Sequence, residues 1–232
     1  MSNTSNSKAL KGSKFWMQEI VNDDLLEARL EELLGERNLQ WATPLQVESY
    51  KEYQLKEPKI FSEVLGLSRE AFKEKFSFWA TNQPRWDAIT VSADGKILYL
   101  FEAKSHIKEM LSKISASNPN SIEKITNSML KVFEEISNTD SENFAAWTNK
   151  YYQLGNRLTF LHFMNQMALP KICRTVLVLL NITDDETYIS TPKEDWTRHY
   201  EEVFQEMLGK KFPPPNVKVI YFSGNQRIIG TA

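Results

Sequence analysis

Cysteine is almost missing from this chain of 232 residues: Cys173 stands alone. A single thiol excludes an internal disulfide framework and a cysteine-rich zinc site, and it suits a reducing cytosol, the expected compartment. Long apolar runs are also missing. The most hydrophobic stretch, RTVLVLLNI, falls far short of the roughly 20 residues of a membrane-crossing helix, so no membrane partner is expected. Nor is there an excess of one charge. With 28 basic and 30 acidic residues the formal net charge is −2, so no bulk field draws the protein onto nucleic acid or anionic lipid. A nucleic-acid role then needs a local basic face, for which Lys104, Lys108, Lys113, Lys124 and Lys131 are the candidates beside solvated helix surfaces.

The opening MSNTSNSKALKGSK, residues 1–14, is polar and lacks the apolar centre of a signal peptide. It is expected to be a disordered lead-in to a single domain over residues 15–232. In LLEARLEELLGERN, leucines recur at helical spacing, with Asn22 to Asp24 as caps and Gly35 as the stop. TPLQVESYKEYQL predicts a helix opened by Thr43 and Pro44, and SREAFKEKFSFWA another capped by Ser68. SHIKEMLSKI and SIEKITNSMLKVFEEI read as helices, and SENFAAWTNKYYQLGNRLTFLHFMNQMAL as a long one ended by Pro170. RTVLVLLNI has the character of a strand buried on both faces. A helix over TPKEDWTRHYEEVFQEMLG, opened by Thr191 and Pro192, and a last strand VKVIYFSG complete a β-α-β unit with parallel strands. The order predicts an α/β domain, a mixed central sheet flanked by helices.

The informative stretch is RWDAITVSADGKILYLFEAK, residues 85–104. Asp94-Gly95 between two β-rich runs predicts a hairpin with a two-residue turn. Counting outward from Ala93 opposite Lys96, Val91 meets Leu98, Ile89 meets Leu100 and Asp87 meets Glu102. Arg85 and Lys104 follow on that face, and Trp86, Ala88 and Thr90 lie on the other. Opposed carboxylates repel, and burial adds a desolvation cost, so such a pair calls for a cation between them. A hard divalent ion, Mg²⁺ or Mn²⁺, suits two carboxylates, with Lys104 to orient water or neutralise a bound anion. Two carboxylates, a lysine and a metal make a toolkit for phosphodiester hydrolysis. The bland alternative is a solvated face with surface ion pairs, and a one-residue bulge would undo the register.

An acid on one strand followed by E-x-K on the next resembles the PD-(D/E)XK nuclease superfamily, on Pro84-Arg85-Trp86-Asp87 and Glu102-Ala103-Lys104. The proline is displaced from its usual place beside the acid. EAKSHIKEML and YYQLGNRLTFLHFMN are similar to a bacterial group within that superfamily. The resemblance implies a restriction-endonuclease-like fold, Mg²⁺ or Mn²⁺ on Asp87 and Glu102, catalytic assistance from Lys104, and DNA as partner. It leaves open the oligomeric state, a homodimer included. It also implies a glutamine on a later helix, for which Gln153 is the candidate against an ordinary polar helix position. Arg157, one turn on, is a phosphate contact or a surface charge, and His106 a site edge or a cap. A further glutamate from the first helix is sought among Glu19, Glu27, Glu31 and Glu32, and a first sheet strand in FSFWA. The competing function is a non-catalytic binding or scaffold protein that keeps the fold, compatible with the near-neutral charge and with Trp16, Trp79, Trp147 and Trp196, whose expected place is the core.

Overall fold

The computed structural model describes residues 8–225. Helix α1 (Gly12–Asn22) takes in the end of the polar opening; of that opening, residues 1–7 lie outside the described range. Helix α2 (Asp24–Leu34) follows at once. Its Asp23 cap accepts from the amides of Leu25 and Leu26, and Gly35 ends it at φ 71°, a left-handed conformation that glycine adopts without strain. Strands β1 (Gln40–Thr43) and β2 (Tyr53–Gln54) precede α3 (Arg69–Lys75), where the Ser68 hydroxyl accepts from Ala71 N as expected of a cap. Then come β3 (Arg85–Trp86), β4 (Ala88–Val91), β5 (Ile97–Lys104), α4 (Pro119–Ile136), α5 (Phe144–Asn149) and α6 (Tyr152–Gln166). Strand β6 (Arg174–Thr183), α7 (Lys193–Leu208) and β7 (Val217–Ser223) close the order.

Five strands form one mixed sheet in the order β1-β4-β5-β6-β7, antiparallel as far as β5 and parallel from β5 to β7. Strands β2 and β3 form a separate antiparallel pair. Side-chain alternation splits the core into two layers. Ala88, Tyr99, Phe101, Val178 and Leu180 pack under α1 and α2, while Ile89, Leu98, Leu100, Leu177 and Leu179 pack against the helices of the other face. All four tryptophans expected in the core are buried. No described helix is long and apolar enough to cross a membrane.

Several expected helices are shorter or absent, each for a long-range reason. TPLQVES forms only a 3-10 turn at Gln46–Glu48, followed by positive φ at Ser49 and Tyr50, because the chain must double back to lay β2 against β3. SHIKEMLSKI keeps one turn, Ile107–Met110. Beyond it, Ser112 N donates to the Lys150 carbonyl at 2.8 Å and Tyr152 N to the Ser112 carbonyl at 3.1 Å. The same bonds break the expected long helix between α5 and α6. FSFWA is no strand; the first strand is the four-residue QWAT of β1. Helix α7 starts one residue later than expected, with Pro192 at its cap and no side-chain cap bond.

The hairpin keeps the expected register with a different turn. Ser92 N donates to the Ile97 carbonyl at 2.9 Å and Gly95 N to the Ser92 carbonyl at 2.8 Å, leaving a loop of four residues, Ala93 to Lys96. Only Gly95 has positive φ, at 69°, so this is not the two-residue primed turn that needs it twice. Asp94 Oδ1 accepts from the Ser92 hydroxyl and from Lys96 N and holds the loop instead. One residue is lost from pairing on each side, so the parity survives.

Candidate active site

Pairing in the hairpin runs from Val91 with Leu98 to Ala88 with Phe101. One further step sets Asp87 level with Glu102, and Asp87 N donates to the Phe101 carbonyl at 3.2 Å. Asp87 is not inside a strand; it is the bend between β3 and β4. There its Oδ2 accepts from Ala103 N at 2.7 Å. The bend corrects one expectation: Trp86 does not share the face of Ala88 but lies in the opposite core layer, against Phe160. Arg85 is turned outward, donating to the Glu52 carbonyl at 2.9 Å.

Glu102 and Lys104 occupy the last turns of the pleat on the α6 face, each beside β6, with Glu102 level with Leu179 and Lys104 with Asn181. Both are buried, at 4% and 8% exposure. Lys104 Nζ donates to Glu102 Oε1, and the other carboxylate oxygen accepts from Arg157 Nε at 2.7 Å. Arg157 is no surface charge: it is 3% exposed. Its guanidinium also donates to the Arg85 carbonyl at 2.7 Å and to Asn156 Oδ1 at 3.0 Å, and it lies 4.4 Å from the Trp86 ring centroid. One arginine thus grips β3, β5 and its own helix.

The charges divide unequally. Burial pushes the Glu102 carboxyl up, but Arg157 and Lys104 outweigh it and hold the group below its usual range. Burial pulls Lys104 down, and Glu102 with Asp87 more than compensates, so it is held charged. Asp87 has no cation of its own. Burial, then the Glu102 charge, push it up to about 7, with Lys104 and the Ala103 amide opposing and the Glu52 charge adding to the rise. Glu52 is a neighbour that the sequence reading missed. Tyr53 pairs with Trp86, so one more step along that ladder sets Glu52 level with Asp87. The signal was there only for a reader who knew that residues 53–54 pair with 85–86.

A hard cation shared by Asp87 and Glu102 fits the donor chemistry, since Mg²⁺ commonly takes one or two carboxylates and fills its shell with water or phosphate oxygens. The fit has a limit. Among the described residues no three of His, Cys, Asp or Glu come together as a metal-holding group. Of the four candidate glutamates, Glu19 pairs with Lys8, Glu27 accepts from the Trp41 indole and Glu31 from Leu39 N, while Glu32 is exposed on α2. Gln153 sits one helical turn before Arg157, partly exposed, its amide nitrogen of the main chain bonded to the Ser112 hydroxyl. Because α6 runs antiparallel to β6, that turn carries it toward the Lys104 end of the sheet. His106 lies beyond the strand end, paired with Glu109 at 3.3 Å and in ring contact with Tyr188.

No protein-family model matches this chain, and no curated protein or solved structure matches it.

Proposed function

We propose that the protein is a metal-dependent phosphodiester hydrolase acting on DNA, with a restriction-endonuclease-like fold of the PD-(D/E)XK kind. The observation that carries this reading is Asp87 set level with Glu102 at a hairpin mouth, with Lys104 bonded to Glu102. Asp87 and Glu102 would hold Mg²⁺ or Mn²⁺, which when bound supplies Lewis acidity and an acidified water. The chain's own part is electrostatic. With Asp87 ionised, the carboxylates of Asp87, Glu102 and Glu52 exceed Lys104 and Arg157 by one charge, so a divalent ion leaves the site net positive by one, as a phosphodiester requires. Lys104, kept charged, would neutralise a phosphate oxygen or orient water. Gln153 would line the rim of the same site.

A second reading, a non-catalytic scaffold of the same fold, draws support from a specific observation: both Glu102 oxygens are already satisfied by cations. Metal binding separates the two. Calorimetric titration with Mn²⁺, and incubation of supercoiled, linear and single-stranded DNA with Mg²⁺ or Mn²⁺, are run on the native protein, Asp87→Asn and Lys104→Ala. The hydrolase reading expects Mn²⁺ binding that Asp87→Asn abolishes, and cleavage that Lys104→Ala reduces at least ~100-fold. Cleavage untouched by Lys104→Ala sinks the assignment, and absence of Asp87-dependent Mn²⁺ binding favours the scaffold.

A further inference from the structure

Helix α3 and its C-cap residue Phe76 turn Arg69, Phe72, Lys73 and Phe76 to one side, spaced at i, i+3, i+4 and i+7. That side walls a cavity of about 590 Å³, inside the roughly 300–1,000 Å³ range of small-molecule sites. Its composition is one-sided. Lys56 and Lys124 join Arg69 and Lys73 around it, and no acidic residue lines it. Phe72, Phe76 and Trp79 make its apolar floor, braced by ring contacts of Phe72 on Phe76 at 4.3 Å and of Trp79 on Phe160 at 5.1 Å. Gln83, on the wall, is 7% exposed, yet its side-chain amide makes no hydrogen bond to any described residue, and Oε1 is buried without a partner. That oxygen is free to accept from a ligand N–H that reaches it.

Four cations without a counter-charge, an aromatic floor and an unsatisfied amide describe the recognition of one molecular class: an anion joined to a flat polar ring. We infer that this cavity binds a nucleotide unit, its phosphate on the Arg69/Lys73/Lys124 rim, its base on the aromatic floor with an edge toward the Gln83 amide. The unit arrives either as a free mononucleotide or as one nucleotide of a single strand. The inference does not need the carboxylate pair to cut. Position does link the two places. Gln83 is four residues before Asp87, so the cavity wall and Asp87 lie at most about 14 Å apart along the chain.

The test measures binding in EDTA, where cleavage plays no part. A fluorescein-labelled single-stranded decamer is titrated by anisotropy against the native protein, Arg69→Ser/Lys73→Ser, Gln83→Leu, and the charge-matched control Arg198→Ser/Lys211→Ser. We expect at least ~10-fold weaker binding for Arg69→Ser/Lys73→Ser, a salt slope shallower by about 1.4, and binding by the control within ~2-fold of native. Arg69 and Lys73 are exposed, so their loss leaves the fold intact. Gln83→Leu is expected to weaken binding several-fold. Competition identifies the source: displacement of the probe by unlabelled decamer but not by mononucleotide means a strand, and displacement by mononucleotide at matched concentration means the free unit. Inorganic phosphate competing as well as either would remove the base from the account and overturn the inference. So would equal binding by Arg69→Ser/Lys73→Ser and its control. If these binding results hold while no variant cleaves with Mn²⁺, the hydrolase reading fails and the nucleotide site stands.

Discussion

Asp87 is the residue on which the site's electrostatics turn. Glu102 has two cations and Lys104 two anions, but Asp87 faces Glu102 and Glu52 with only Lys104 and one amide in its favour. Its carboxyl is raised from 3.8 to about 7. The folded protein therefore holds a proton that the unfolded chain releases near pH 4. Stability conferred by that proton is complete below pH 4 and is lost as pH rises through about 7. Asp87→Asn removes the titration while its amide oxygen can still accept from Ala103 N. At pH 8 the variant should be more stable than the native protein by about 2 kcal/mol, discounted from the full shift because Asp87 is partly accessible. Near pH 4 the two should coincide. Urea melts at both pH values check this, and equal stabilities at pH 8 would remove the raised carboxyl. Mn²⁺ should raise the melting temperature of the native protein at pH 8 and leave that of Asp87→Asn unmoved.

Among the elements, α6 is set by close approach as much as by sequence. A Cβ on Gly155 would lie 2.6 Å from Met129 Cε of α4 and 3.1 Å from both Trp147 Cε3 and the Trp147 carbonyl oxygen of α5. The methionine tip can swing away; the α5 backbone cannot. Gly155→Ala gains up to about 1 kcal/mol of helix propensity but forces α5 outward, for a net expected loss of about 1–2 kcal/mol and a fall of ~3–6 °C in Tm by calorimetry. An unchanged or higher Tm would mean that the helices part freely. Such contacts explain which elements were legible. Helix α2 carries its own start and stop signals in Asp23 and Gly35, α4 has its apolar stripe, and β6 with α7 and β7 has the length of a crossover unit. The α5/α6 break is different in kind: it exists because Ser112, some 40 residues upstream, inserts its backbone between Lys150 and Tyr152. The four residues of β1 are likewise defined only by β4 beside them. Asp87, Glu102 and Lys104 were legible because a short turn converts sequence distance into register. Arg157 was not, since a helical arginine carries no mark of burial by itself. Its surroundings do carry one. Every residue from Leu154 to Leu161 is buried, and LTFLHFM has no continuous polar face, so a charge inside that run has to be paired.

At the scale of the whole molecule, that arginine holds separate parts in one place. The sheet's α6 face is apolar from Leu98 and Leu100 through Leu177 and Leu179, and Glu102 interrupts it with a buried charge. Arg157 answers the charge and at the same time fixes the Arg85 carbonyl, so the small β2–β3 pair, the hairpin and α6 meet at one guanidinium. Trp86, beneath that guanidinium, contacts Phe160, which contacts Trp79 on the floor of the cationic cavity. The proposed hydrolytic site and the proposed nucleotide cavity share this spine. Arg157→Met keeps the side chain's length and removes its bonds, leaving Glu102 with Lys104 alone in a buried setting. Breaking a buried pair by removing one partner costs about 3–5 kcal/mol, and the surviving lysine should hold the loss to about 3 kcal/mol. Adding Glu102→Gln to Arg157→Met leaves Asp87 as the counter-charge of Lys104, and the combined cost should fall short of the sum of the single costs by about 1–2 kcal/mol, a coupling read from the double-mutant cycle in urea. Arg157→Lys keeps the charge without the fork that reaches Glu102 and Arg85 together, and should fall between the two. A loss under about 1 kcal/mol for Arg157→Met, or additivity in the cycle, would show that these parts are held by apolar packing alone and that the arginine is incidental to it.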